Sequence, residues 1–224
     1  VDPTFEGAPI GPPAFCRYWI GTPCVQTFRD ANWWADFPTS AQLALQVYSS
    51  AQGVAVDGVI AVDSWLMAQI VDSLGGVQLP GLVQEIDGVT ARQYAPGRAS
   101  SYPCASENSS DVPNRCFVED LFDVLLARVT GSSESTPGLM ELLVRATLEK
   151  HLLVYLPDES MAALLTDLNW DGHLLETQSD YLMVVDTSVY SEIHDYISRS
   201  IDYLVDLGDP DGGAASLTVS YVNS

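Results

Sequence analysis

Lysine is nearly missing from this chain. Lys150 stands alone, and with eight arginines it faces 30 Asp and Glu residues, giving a formal charge of −21 and a pI near 4.1. That shortage excludes nucleic acid as a partner, because holding a phosphate backbone requires positive charge. It disfavours anionic membranes and teichoic-type polymers for the same reason, and leaves cations, cationic partners and neutral glycans. Long apolar runs are also lacking: no stretch approaches the ~20 residues of a spanning helix. The chain opens on Val1-Asp2-Pro3, without an initiator Met, a charged n-region or an apolar h-region, and so reads as processed or truncated, with any membrane anchor outside it. There is no GxSxG elbow, HExxH, P-loop or GxGxxG, so the common catalytic signatures are absent. No CxxC pair occurs and no histidine stands at metal-ligand spacing from a cysteine, so zinc is not expected. Of the three histidines (His151, His173 and His194), His151 reads as a cation at a helix end and His173 as a surface turn residue.

What is present is a chain able to build a core. Its 224 residues are 47% hydrophobic and 17% charged, and a chain of this length buries roughly 70% of its unfolded surface. The expected organisation is a Pro-rich, disulfide-clipped arm over residues 1–27 and a single α/β domain over 28–224. Four cysteines, Cys16, Cys24, Cys104 and Cys116, lie in Pro- and Ser-rich loops. An even count in such loops reads as two disulfides in an oxidising compartment, outside the cell or at its surface. Three connectivities exist, of which the local pairs Cys16–Cys24 and Cys104–Cys116 are favoured, each worth about 2–3 kcal/mol on loop-entropy grounds. Asn108-Ser109-Ser110 has the form of a glycosylation sequon.

The periodicities place the elements. Pro38-Thr39-Ser40 starts a helix that runs through Ala41–Gln52 to a stop at Gly53. Val59-Ile60-Ala61-Val62 has the pattern of a buried central strand. Ser64 caps a helix with Leu66, Met67, Ile70, Val71 and Leu74 on one face, ended by Gly75-Gly76, and residues 77–86 read as extended with a break at Pro80-Gly81. This strand, helix, strand order implies α/β, or α+β, with a mixed central sheet flanked by helices. A long loop over residues 93–117 leads to three helices, near Val118–Val129, Pro137–Tyr155 and Asp158–Leu168. Tyr181–Val185 reads as a strand. Residues 197–206 and 215–222 alternate around a Gly/Asp/Pro turn at 208–213, which predicts a terminal antiparallel hairpin.

Three groups of residues carry chemistry. Arg29, Asp30, Arg92, Arg98 and Arg115 fall in or beside loops, and arginines with an Asp for magnesium are the parts that hold a pyrophosphate; in so acidic a chain the same arginines also read as salt-bridge partners. Asp206, Asp209 and Asp211 surround the hairpin turn and could ligate calcium, although the closing Glu of an EF-hand is absent and Asp and Gly suit a turn without metal. Trp33 and Trp34, with Tyr18 and Trp19, supply either an aromatic platform for sugar rings or packing for the arm. Magnesium or calcium is therefore the only cofactor in view.

Beyond these patterns, Phe28-Arg29-Asp30-Ala31-Asn32-Trp33, Asp36-Phe37-Pro38-Thr39-Ser40-Ala41 and Val56-Asp57-Gly58-Val59-Ile60-Ala61-Val62-Asp63 resemble a bacterial family of surface proteins with an extracytoplasmic domain of unknown function. Trp170-Asp171-Gly172-His173, Asp180-Tyr181-Leu182 and Ile197–Tyr203 resemble its C-terminal blocks, so the resemblance runs over residues 28–223. That family is in turn distantly similar to the LytR-CpsA-Psr transferases of cell-wall glycopolymers. Through Arg29-Asp30, Leu74-Gly75-Gly76-Val77, Asp111 and Arg115, the similarity implies their fold and a pyrophosphate held by Arg29, Asp30 and Arg115. The paired-Arg strand motif of those enzymes is not found. The leading expectation is a non-catalytic cell-surface or envelope module that assembles with copies of itself or an envelope component. A phosphotransferase-like enzyme acting on polyprenyl-pyrophosphate-linked glycans and a glycan- or cation-binding module are the alternatives.

Overall fold

The computed structural model describes residues 4–5, 26–94, 102–103, 113–131, 137–175, 177–178, 181–186, 197–209 and 212–223. The chain divides by its own contacts into two compact units, 1–185 and 186–224, where the sequence reading has one domain from 28 onward. In the first unit, β1 (Thr4–Phe5) and β2 (Gln26–Thr27) pair antiparallel and lead into a 3-10 turn over Phe28–Trp33. Helix α1 (Phe37–Gln52) then begins at Asp36, whose carboxylate accepts the Thr39 N–H at 3.1 Å, and Pro38 sits in the first turn, where a missing N–H costs nothing. It ends as expected at Gly53, whose φ of 66° lies in the left-handed region that glycine enters freely.

Strand β3 (Val59–Val62) occupies the expected residues but is not buried or central. Ile60 is 68% exposed, and the strand has one antiparallel partner, β4 (Leu152–Tyr155), in a register running from Val59↔Tyr155 to Val62↔Leu152. Helix α2 (Ser64–Ser73) is capped by Asp63, not Ser64: Asp63 Oδ1 accepts the Leu66 N–H at 2.9 Å. The expected strand at 77–86 reduces to one bridge, Val77↔Ile86, because the Pro80-Gly81 bend carries the chain out of register on either side. Helix α3 (Gly88–Tyr94) follows, unforeseen in the sequence, with Asp87 Oδ1 accepting the Thr90 N–H.

Helices α4 (Pro113–Gly131) and α5 (Pro137–Leu148) come next. The helix expected to reach Tyr155 stops at 148: Lys150 adopts a φ of 67°, and the Leu-Leu-Val-Tyr run beyond it satisfies its backbone on β3 instead. Helix α6 (Glu159–Asp167) is capped by Asp158 as the sequence indicates, with Asn169 left-handed at its exit. Residues 181–185, expected as a strand, are extended without a ladder.

The largest core cluster gathers Phe117, Leu121 and Leu125 of α4 against Val71 of α2, Val77, Leu79 and Ile86. Phe117 has no exposed surface and meets the rings of Tyr94 and Tyr102 at 5.1 and 5.3 Å. Smaller clusters join Ala31 to Leu43 and Val47 of α1, and Leu66 to Leu142 and Ala146 of α5.

The second unit is the hairpin expected at the terminus, β5 (Ile197–Asp209) and β6 (Gly212–Asn223), paired from Ile197↔Asn223 to Asp209↔Gly212 with one irregularity between Asp206 and Asp209. The fold class is thus mixed α/β, with six helices and two-stranded antiparallel sheets among the described residues. No described helix is long and apolar enough to cross a membrane.

Candidate functional site

The residues singled out for pyrophosphate are scattered. Asp30 lies in the 3-10 turn and already has an interaction partner, and Arg92 is exposed in the last turn of α3. Arg29 and Arg115 belong to the 3-10 turn and the first turn of α4, but their side chains and all of Arg98 lie outside the described residues. At the hairpin turn, Asp206 Oδ1 accepts the Gly208 N–H at 2.8 Å, a local turn contact. The Asp209 side chain and all of Asp211 fall outside the described set, and no described group of three His, Cys, Asp or Glu side chains is arranged to hold a metal. Cys116 is buried on α4 and is not a free thiol, while Cys16, Cys24 and Cys104, which could pair with it, lie outside the described residues. The same holds for Asn108, Tyr18, Trp19 and His194; Trp34 is exposed and Trp33 partly buried.

Two aspartate–histidine pairs appear that the sequence reading treated as unrelated residues. In the first, Asp63 divides its carboxylate: Oδ1 caps α2, and Oδ2 lies 2.6 Å from His151 Nδ1. The imidazole stacks on Trp65 at 4.0 Å and 21°, and the Arg145 guanidinium lies 5.2 Å from the same ring. This cluster ties the entry of β4 to the start of α2, a joint between elements 88 residues apart.

The second pair lines a cleft of about 260 Å³ between the start of α1, the end of β4 and α6. Gly172, at φ +63°, turns the chain so that Asp171 and His173 face each other, with His173 Nδ1 2.7 Å from Asp171 Oδ1. The Thr166 hydroxyl donates to Asp171 Oδ2 at 2.6 Å, and the His173 N–H donates to Oδ1 at 3.3 Å. Burial of Asp171 works against its ionisation, but the hydrogen bonds from Thr166 and His173 outweigh it and hold the carboxyl below its ordinary value. Asp36 follows the same pattern: burial opposes its charge, while Thr39, the Leu174 N–H at 3.0 Å and the nearby His173 favour it, and its pKa too is lowered. Because Asp171 is therefore a carboxylate, the proton between it and His173 sits on Nδ1, which donates to Oδ1. The remaining walls are apolar, formed by Val154, Leu156, Ala162 and Leu165.

In the hairpin, alternation sorts the side chains by face. Ile197, Arg199, Ile201, Tyr203 and Val205 share a face with Ala215, Leu217, Val219, Tyr221 and Asn223, while Ser198, Ser200, Asp202, Leu204 and Asp206 share the other with Ala214, Ser216, Thr218, Ser220 and Val222. On the second of these faces Leu204 and Val222 are exposed among the polar residues; the first is open, with Ile201 41% and Tyr221 52% exposed. At its far end Asp186 accepts from Arg199 and, at 2.6 Å, from the Tyr221 hydroxyl.

Comparison with known families gives a match to part of the chain. The family described as a protein of unknown function (DUF4012) is similar to this chain over residues 12–96. The match starts inside the segment read as a separate arm and stops well before the blocks at Trp170 and Ile197, so a resemblance to a family of unknown function holds for the N-terminal part of the chain. It carries no link to the LytR-CpsA-Psr transferases or to bacteria. Neither curated proteins nor solved structures give a match to the chain.

Proposed function

We propose that this chain is a non-catalytic cell-surface or envelope module that assembles with copies of itself, and that the apolar face of the β5–β6 ribbon is where the copies meet. The observation that carries this reading is the sorting of charge on the ribbon. In a chain with 30 acidic residues, Asp202 and Asp206 lie on one face, together with Leu204 and Val222, and the other is apolar except for Asn223 at its end and Arg199, which is paired with Asp186. A face without net charge has nothing with which to select a charged partner, but it complements itself about a two-fold axis. A lone two-stranded ribbon is also marginal in water until its apolar side is covered.

The size of the face sets the strength. Strands of 12 and 13 residues give a ribbon roughly 40 Å long and about 10 Å wide, so two faces bury on the order of 800 Å² in total. That is below the ~1,200 Å² of a standard stable interface, and the contact is weak for one pair and effective where many copies stand side by side. Because each chain carries −21, association strengthens with salt, which screens the repulsion. Sedimentation equilibrium at low and high salt tests this: Val205→Asp and Tyr203→Asp abolish the dimer, and Ser200→Asp, on the polar face, does not. A wild-type chain that stays monomeric at millimolar concentration in high salt refutes the proposal. The surface location rests on the cysteines. A Cys104–Cys116 cross-linked peptide in the unreduced digest is the expected finding, and alkylation of all four thiols in the native chain removes that support.

A further inference from the structure

We infer that the outer edge of β3 is a docking site for an extended, cationic segment of a partner polypeptide, which adds to the β3–β4 pair as a third strand. The ladder fixes which backbone groups face outward. The Asp63 N–H donates to the His151 carbonyl at 3.3 Å, one register step beyond Val62↔Leu152. Bonded and non-bonded partners alternate along an antiparallel pair. Val59 and Ala61 therefore point their N–H and C=O groups at β4, and Ile60 and Val62 point theirs away from it. The far edge of the pair obeys the same count: Val154, opposite Ile60, donates its outward N–H to the Trp170 carbonyl at 3.0 Å. The chain thus covers the β4 edge with its own backbone. Among the described residues nothing hydrogen-bonds the outward groups of Ile60 and Val62, and these residues are 68% and 39% exposed.

An open edge is a template for pairing with another chain, and folded proteins blunt such edges with lysine, proline, a bulge or a covering segment. Strand β3 has none of these on its outer side. Its sequence is Val-Ile-Ala-Val, and its register is unbroken from Val59 to Val62. The outward row of alternating donors and acceptors is matched by an extended backbone, the chemistry of strand addition. A helix cannot supply that match, because its own backbone groups are paired internally. A glycan would offer hydroxyls but would set them against Ile60 and Val62, which suit the apolar side chains of a neighbouring strand.

Charge selects among extended segments. Asp57 stands exposed just before the strand, Asp63 directly follows it, and the whole chain carries −21. A segment with basic residues at the ends of its apolar run is drawn to such an edge. A second copy would instead bring the same carboxylates and another −21 to the contact. The strand spans roughly 13 Å, so the docked stretch is short and its binding weak.

The experiment is an NMR titration of the whole chain that follows solvent exchange of the Ile60 and Val62 amides, with the peptide acetyl-Lys-Thr-Val-Thr-Val-Thr-Lys-amide as the probe. Two comparators are used. One is the same peptide N-methylated at every central residue, which keeps side chains and charge and loses the backbone donors; the other carries Glu in place of both Lys. The lysine peptide is expected to saturate and, at about ten times its Kd, to slow exchange at both amides about tenfold. Both comparators bind about tenfold more weakly or worse. Ile60→Pro removes an outward N–H without touching a ladder bond, as an edge position allows, and abolishes the protection at Val62. Ile60→Lys keeps the backbone and weakens binding by placing a like charge beside the peptide. Unchanged Phe117 resonances certify that each variant is folded. Equal binding by either comparator, full protection of Val62 in folded Ile60→Pro or Ile60→Lys, or absence of saturation in the wild type at millimolar peptide overturns the inference. So does exchange at Ile60 and Val62 that slows with protein concentration alone, the mark of a second copy on this edge.

Discussion

The Asp171 carboxylate is the most informative group to remove, because three donors converge on it in a place with almost no water. Only 8% of its side chain is exposed, and it accepts the Thr166 hydroxyl at 2.6 Å, His173 Nδ1 at 2.7 Å and the His173 N–H at 3.3 Å. A hydrogen bond is worth about 1 kcal/mol net, and one to a charged group about 1.5–3 kcal/mol. In Asp171→Ala the His173 ring, 22% exposed, recovers part of its loss by turning to solvent, and the expected cost is then about 3 kcal/mol, against ~1–2 kcal/mol for the isosteric Asp171→Asn. In urea melts at neutral pH this appears as a shifted midpoint with an unchanged slope.

Acid adds a second readout. Asp171 and Asp36 are held below the ordinary 3.8 in the folded chain, so their contribution is complete above that pH and is lost as pH falls through the lower folded values. The gap between wild type and Asp171→Asn therefore closes as pH drops below 3.8. An alanine variant that costs under about 1 kcal/mol, or a gap that does not change with pH, refutes the idea that this carboxylate holds the turn.

Phe117→Ala removes a ring with no exposed surface and should cost about 3–5 kcal/mol by calorimetry or urea melt, with Phe117→Leu much milder. Gly88→Ala would place a Cβ 2.5 Å from the Ala68 carbonyl oxygen; backbone cannot step aside, and a loss of roughly 1–3 kcal/mol in thermal unfolding is expected. Burial, and then Asp120 at 2.5 Å, push the Tyr102 hydroxyl well above its ordinary 10.0. The folded chain therefore holds that proton longer than the unfolded one, stability falls as pH rises above 10, and Tyr102→Phe, measured by alkaline denaturation, removes that component of the fall.

The features legible in the sequence are those written in adjacent residues. The Asp36 to Gly53 helix, the limits of β3, the Asp158 cap and the hairpin all follow from caps, glycines and alternation within a short window. The features missed depend on distance or on an unusual backbone angle. Lys150 at φ +67° ends α5 where composition favours a longer helix, and β4 exists because β3 offers an edge some ninety residues away. The Asp63–His151 pair spans 88 residues, beyond any local pattern. The Asp171–His173 pair was within reach, since Asp-Gly-His allows a left-handed glycine to bring i and i+2 together. Helix α3 had a signal too, an Asp87 cap three residues before Thr90, obscured by its opening glycine.

The pairing of β3 with β4 also bears on how the chain reaches its fold. Val62 meets Leu152, so everything from α2 to α5 lies inside the loop that this ladder closes. Closing a loop of that length carries a length-dependent entropic cost of about 4 kcal/mol, and four short pairs do not offset it unless the ends are already close. Helices α2 and α5, which pack through Leu66 and Leu142, bring those ends together. The ladder is therefore a late event: substitutions in the Leu66–Leu142 contact slow folding, whereas substitutions in β4 mainly hasten unfolding.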